Sequence, residues 1–297
     1  MMRKWKSIVI SSMSAVVLAS CSTTTFLPAD NDNKEEAVQK EVDLTPKKHI
    51  PKGFFPVDLD IVAIGDSLTE GVGDESKKGG YVPYLTKYLS KQNEVQNVRT
   101  ENLGKRGNRT DQLLARLNQP GVAAEVSRAD IVFLTIGGND VMKVVRDYFY
   151  NISIKTFESQ QSKYEKRLND VFLRIRKLNP NAHIYLIGFY NPFFKSLSDV
   201  KEINVVIHEW NAASEKIASQ YDNVSYVKID DIFYDSDVNL LGKDEFHPNK
   251  KGYKLMAERI SKSMEEEDPL VGDQKKETAK EVTSDEKEKN TKESGNE

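Results

Sequence analysis

Serine attacks a carbonyl when a nearby base takes its proton, a third group orients that base, and hydrogen-bond donors receive the oxyanion. Ser67 is placed for such work: in Ile61-Val62-Ala63-Ile64-Gly65-Asp66-Ser67-Leu68 an apolar run stops at Gly65, and an acid and a hydroxyl follow at once. The chain offers four histidines as the base. His49 lies in a polar stretch, His183 just before an apolar run and His208 beside a helical apolar stripe, so these three read as structural or solvent-facing. His247 stands in Lys243-Asp244-Glu245-Phe246-His247-Pro248-Asn249, a loop ahead of a helix. On that spacing one short turn can present Asp244 and His247 to the same cleft, with the carboxylate on the ring nitrogen away from the serine. Each block alone also fits a structural turn, Ser67 as a helix N-cap and Asp-x-x-His as the lead into a helix.

These residues need elements that bring them together. Residues 59–64, 131–136, 184–187 and 224–227 are short apolar runs, and a further strand is expected at 95–102. Tyr164, Leu168, Val171, Phe172, Ile175 and Leu178 recur at helical spacing with Pro180 beyond, as do Ile203, Val206, Ile207, Trp210, Ala213 and Ile217. A third helix is expected from just after Pro248 to Ile260. Strands alternating with helices predict an α/β fold with a parallel sheet, whose ligands sit beyond the carboxyl ends of the strands. Three polar turns leave that edge: the Ser67 turn, the stretch from Asn102 to Thr110, and Gly137-Gly138-Asn139-Asp140.

Four blocks in order, Gly65-Asp66-Ser67-Leu68, Asn102 to Asn108, Gly137 to Asp140 and Asp244 to His247, resemble the SGNH hydrolases, the GDSL lipase/esterase family. The resemblance implies a flavodoxin-like α/β/α fold with a mostly parallel five-stranded sheet. It also implies esterase or acylhydrolase chemistry without cofactor or metal. Residue by residue it makes Ser67 the nucleophile, His247 the general base, Asp244 its orienter, and the Ser67 N–H, Gly107 N–H and Asn139 amide the oxyanion hole. No G-x-S-x-G elbow surrounds Ser67, which argues against the common α/β-hydrolase layout. The same fold without turnover would be an envelope-binding module, and the same triad could also cleave thioesters or peptides.

Beside Gly107, Lys105, Arg106 and Arg109 are candidate contacts for anionic substrates, against the alternative that they face solvent or pair with acids such as Asp111. Residues 141–164 suggest a wall or lid over an acyl chain, and Tyr190 to Phe194 a lining of the cleft.

The 297-residue chain is 38% hydrophobic, enough for a core, and its net charge of -3 gives no sign of nucleic-acid binding. Basic Arg3, Lys4 and Lys6 precede an apolar run, residues 7–19, too short to span a bilayer, and Leu18-Ala19-Ser20-Cys21 resembles the lipobox of bacterial lipoproteins. Cys21 is the single cysteine and the expected lipidation site. The expected organisation is therefore a signal peptide at 1–20, a lipidated tether at 21–56, a hydrolase domain at 57–264 and a disordered charged tail at 265–297. Such an enzyme would sit at the outer face of the cytoplasmic membrane and act on ester-containing lipids or acylated envelope polymers.

Overall fold

The apolar run at 59–64 forms the centre of the first strand, β1 (Val57–Gly65), in a computed structural model that describes residues 56–148, 153–194, 201–234 and 236–267. Cys21, His49 and the proposed signal peptide and tether lie outside the described residues, apart from Pro56. So do Phe149, Tyr150 and the tail beyond Glu267. Strand β1 lies between β2 (Val95–Gly104) and β3 (Ile131–Thr135), and β4 (His183–Ile187) and β5 (Val224–Val227) follow outward. All four pairings are parallel, in the order β2-β1-β3-β4-β5. This is the flavodoxin-like, doubly wound order.

Side-chain alternation along the strands feeds two cores. Val62, Ile64, Val132, Leu134, Ile184 and Leu186 pack on one face, and Ile61, Ala63, Ile131, Phe133, Tyr185 and Ile187 on the other. The first face is covered by α3 (Thr110–Arg116), α4 (Pro120–Arg128), α6 (Ile154–Leu178) and α7 (Lys201–Ala218) through Leu113, Val126, Phe172 and Trp210. The second is covered by α2 (Val82–Leu89) and α9 (Lys250–Glu267) through Leu85, Leu89, Tyr253, Met256 and Ile260. Tyr164, Leu168, Val171, Phe172 and Ile175 are fully buried, so the stripe that marks this helix in the sequence is core. The other helices among the described residues are α1 (Ser67–Glu70), α5 (Gly138–Asp147) and α8 (Asp230–Phe233).

Helix α9 continues to Glu267, three residues past the Met264 boundary expected from the sequence. The extra turn has partners: the Tyr88 hydroxyl donates to Glu265 at 3.0 Å, and Glu267 accepts from the Ser225 hydroxyl. Residues 141–164, read from the sequence as one wall or lid, divide between α5 and the start of α6, where Ser153 caps the helix and Phe157 enters the core.

Register aligns the ends that matter. Gly65 pairs with Gly104 on one side and with Thr135 on the other, so the turns after β1, β2 and β3 leave the sheet side by side. The approach is too close for side chains. A Cβ on Gly65 would lie 2.0 Å from the Thr135 carbonyl oxygen, and one on Gly104 would lie 2.1 Å from the Glu70 nitrogen. Glycine is required at both positions.

Candidate active site

Ser67 is the first residue of α1, directly after the turn at Asp66. The helix cap is Asp66 and not Ser67: Asp66 Oδ1 accepts the Leu68 N–H at 3.0 Å and the Thr135 hydroxyl at 2.8 Å. This leaves the Ser67 hydroxyl free for another partner. That partner is His247, 180 residues away, whose Nε2 lies 2.9 Å from Ser67 Oγ. His247 Nδ1 lies 2.7 Å from Asp244 Oδ2. An ionised carboxylate only accepts, so Nδ1 carries the ring proton and Nε2 is left to accept from the serine. Ser67 and His247 are 6% and 7% exposed, whereas Asp244 is open to solvent.

The histidine loop is built by its own backbone. Asp244 Oδ1 accepts the N–H groups of Phe246 (3.1 Å) and His247 (3.0 Å), and Gly242 N–H donates to the His247 carbonyl at 2.7 Å. Glu245 takes the left-handed backbone, φ 52°, at the tip between them. Asn249 then opens α9, its Oδ1 accepting the N–H groups of Lys251 and Gly252. Burial works against the charge on Asp244, but hydrogen bonds from the His247 ring and from the His247 and Phe246 backbone outweigh it. They hold the carboxyl below its ordinary range, so it is charged at neutral pH.

The second and third blocks also meet, through Asn139 and Asn108. Asn139 sits in the first turn of α5, and its Nδ2 donates to the Asn108 carbonyl at 3.0 Å. One amide N–H is thereby fixed and the second remains available as a donor. Asp140 ties the same two segments, accepting from the Thr110 N–H (3.0 Å) and hydroxyl (2.7 Å) and from Arg167 (3.0 Å). Arg116 holds the loop against the sheet by donating to Asn108 Oδ1 (2.9 Å) and the Leu103 carbonyl (2.7 Å). Gly107 lies in this loop with φ 76°. Among the described residues neither its N–H nor that of Ser67 meets an acceptor. The result is a hydroxyl hydrogen-bonded to a base, beside donors that a developing oxyanion requires.

The candidate cationic contacts are placed differently. Lys105 and Arg106 are exposed, the Arg106 backbone N–H donating to the Glu70 carboxylate, and Arg109 pairs with Asp111 at 3.0 Å. None of the three lines the cleft that contains Ser67. That cleft is mostly apolar: Val141 and Met142 from α5, Phe189, Tyr190 and Pro192 after β4, Ile207 from α7 and Phe246 surround Ser67, Asn139 and His247. Tyr190 is buried, donates its hydroxyl to the Phe246 carbonyl at 2.6 Å and stacks on Phe233 at 3.9 Å, so it serves as wall. His183 is structural: its Nε2 lies 2.8 Å from the Ser225 hydroxyl, and burial, aided by nearby Arg176, pushes its pKa down to about 4. A larger cavity, about 550 Å³, lies at the amino ends of the strands around Val57, Asp130 and His183, on the edge away from Ser67. Among the described residues no group of His, Cys, Asp or Glu is arranged to hold a metal ion.

Arg116 and Ile207 carry no motif in the sequence that singles them out, and Asp66 and Asp140, although inside the blocks, have no spacing signal for the contacts they make. Only the neighbouring blocks point to their location.

Known proteins resemble this chain in sequence and fold. Residues 63–255 match the GDSL-like lipase/acylhydrolase family. The chain is 38% identical to the uncharacterized protein YpmR of Bacillus subtilis over 78% of this chain and 88% of that protein. It is 27% identical to the spore germination lipase LipC of Bacillus licheniformis, over 68% and 94% respectively. The crystal structure of the lipase Lip_vut3 from a goat rumen metagenome superposes with a TM-score of 0.62 at 25% identity, covering 69% of this chain and 97% of that one. A variant of Axe2, an acetylxylan esterase from Geobacillus stearothermophilus, shares the fold at a TM-score of 0.53 and 21% identity, over 69% and 93%. With its doubly wound parallel sheet and the match across most of that domain, the chain belongs to the GDSL-like lipase/acylhydrolase family, has the SGNH hydrolase fold, and is an ester-hydrolysing enzyme.

Proposed function

We propose that the chain is a cell-envelope serine esterase in which Ser67, His247 and Asp244 form the catalytic triad. The observation that carries this reading is the unbroken hydrogen-bond chain from Ser67 Oγ through both ring nitrogens of His247 to Asp244. As Ser67 Oγ attacks the ester carbonyl carbon, its proton passes to His247 Nε2. The carbonyl oxygen becomes an oxyanion, received by the Asn139 amide and the Ser67 and Gly107 N–H groups. His247 then gives the proton to the departing alcohol oxygen, leaving an acyl-serine. Water attacks that acyl group, its proton passing to His247, and the carboxylic acid leaves as Ser67 recovers its hydrogen. Asp244 keeps the ring oriented and stabilises the imidazolium at each transfer.

The lipobox-like Leu18 to Cys21 supports anchoring through a lipid on Cys21 after removal of residues 1–20, with residues 22–56 as the tether. The substrates at such a surface are ester-containing lipids or acylated envelope polymers.

The oxyanion assignment is tested by Asn139→Ala. Removing one such donor costs about a hundredfold to a thousandfold in kcat. The expected result is a loss of that size on p-nitrophenyl acetate with KM changed little, and kcat within tenfold of the unmodified enzyme would remove Asn139 from the hole.

A further inference from the structure

The apolar cleft beside Ser67 is shallow. Its free volume is about 50 Å³. That is small beside the cavity of about 270 Å³ beyond Ile207, and it suits a short acyl chain better than a long one. Two of its wall residues are held by hydrogen bonds. Phe189 is clamped by Asn211, which accepts its N–H at 3.1 Å and donates to its carbonyl at 2.6 Å. Tyr190 is tied to the Phe246 carbonyl and stacked on Phe233.

One side wall is thin. Ile207, on α7 and 7% exposed, borders the cleft and also borders a second cavity of about 270 Å³ whose walls include Phe194, Asn204 and Tyr234. The partition is braced from the second side, where Asn191 Nδ2 donates to Asn204 Oδ1 at 2.7 Å. Ile207 thus borders further space, walled by the rings of Phe194 and Tyr234 and by Asn191, Asn204, Lys228, Asp230 and Asp231.

Resting on the triad reading, we propose that Ile207 is the partition that restricts this enzyme to esters of short acyl chains. Long-chain lipids are then poor substrates, and short-acyl esters of envelope polymers or small alcohols are the favoured class. Shortening Ile207 joins the two cavities and admits longer chains.

The test is kcat/KM on p-nitrophenyl acetate, butanoate and octanoate for the unmodified enzyme, Ile207→Ala, Ile207→Val and Met142→Ala. The octanoate-to-acetate ratio within each protein is independent of how much of it is correctly folded, so loss of stability in Ile207→Ala does not obscure the outcome. The unmodified enzyme should favour acetate or butanoate over octanoate by at least tenfold. Ile207→Ala should raise the octanoate-to-acetate ratio at least tenfold, and Ile207→Val should raise it less, in the same direction. Met142 lines the cleft without bordering the second cavity, and its substitution should move the ratio by less than about threefold. An unmodified enzyme that prefers octanoate, a ratio unchanged in both Ile207 variants, or an equal rise in Met142→Ala would each overturn the partition. Turnover that survives Ser67→Ala would overturn the triad reading instead, so the two failures are distinguishable.

Discussion

Asp66 stands next to the nucleophile, 4% exposed, and is joined to a line of buried hydroxyls. The Thr135 hydroxyl donates to it, Thr69 and Thr135 hydroxyls lie 2.8 Å apart, and Tyr81 lies 2.8 Å from Thr69. Burial pushes the Asp66 carboxyl up to about 7, against the hydrogen bonds from Thr135 and the Leu68 N–H. The native carboxyl therefore keeps its proton to about pH 7, whereas the unfolded one loses it near pH 4. Across that window the folded state binds the extra proton, and stability falls as pH rises through it. Asparagine mimics the neutral acid and removes this dependence. The melting temperature of Asp66→Asn relative to the unmodified protein should rise by at least about 4 °C between pH 5 and pH 8. A difference that does not change with pH would contradict the buried, proton-holding Asp66.

At the scale of elements, much of the fold was legible because parallel strands covered on both faces read as continuous apolar runs. The runs at 131–136, 184–187 and 224–227 became β3, β4 and β5 within one residue at each end. The weaker 95–102 segment, an edge strand whose residues after Val95 are half-buried or exposed, extends to Gly104, which pairs with Gly65 and packs against Thr69 and Glu70 of α1. Helix α6 begins at Ile154, ten residues before the stripe at Tyr164 shows itself, and between Lys155 and Lys163 Phe157 is the residue that enters the core. The Ser67, His247 and Asp244 contacts follow from block order and spacing. Arg116 and Ile207 could not be found that way. Their roles depend on which carbonyls and cavities lie beside them, and an arginine in a helix or an isoleucine in an apolar stripe has the same local pattern wherever it faces.

For the whole molecule, the doubly wound order puts the turns after β1, β2 and β3 on one edge, and the loop before α9 closes over them from the far end of the sequence. Every residue of the proposed triad and oxyanion hole lies between Ser67 and His247, within the described residues. No described helix is long and apolar enough to cross a membrane, and the proposed anchor is a lipid on Cys21. Cys21→Ser should move the protein from the membrane pellet to the soluble fraction of expressing bacteria while kcat/KM on p-nitrophenyl acetate stays within about twofold. A variant that remains in the pellet would argue for a different attachment. The central claim is that Ser67 is an activated nucleophile, and intact-mass analysis after reaction with a fluorophosphonate tests it most directly. An activated Ser67 gives one stoichiometric adduct, mapped to the peptide containing Ser67 and lost in both Ser67→Ala and His247→Ala. A folded protein that takes no adduct, or one whose adduct persists in Ser67→Ala, would contradict it.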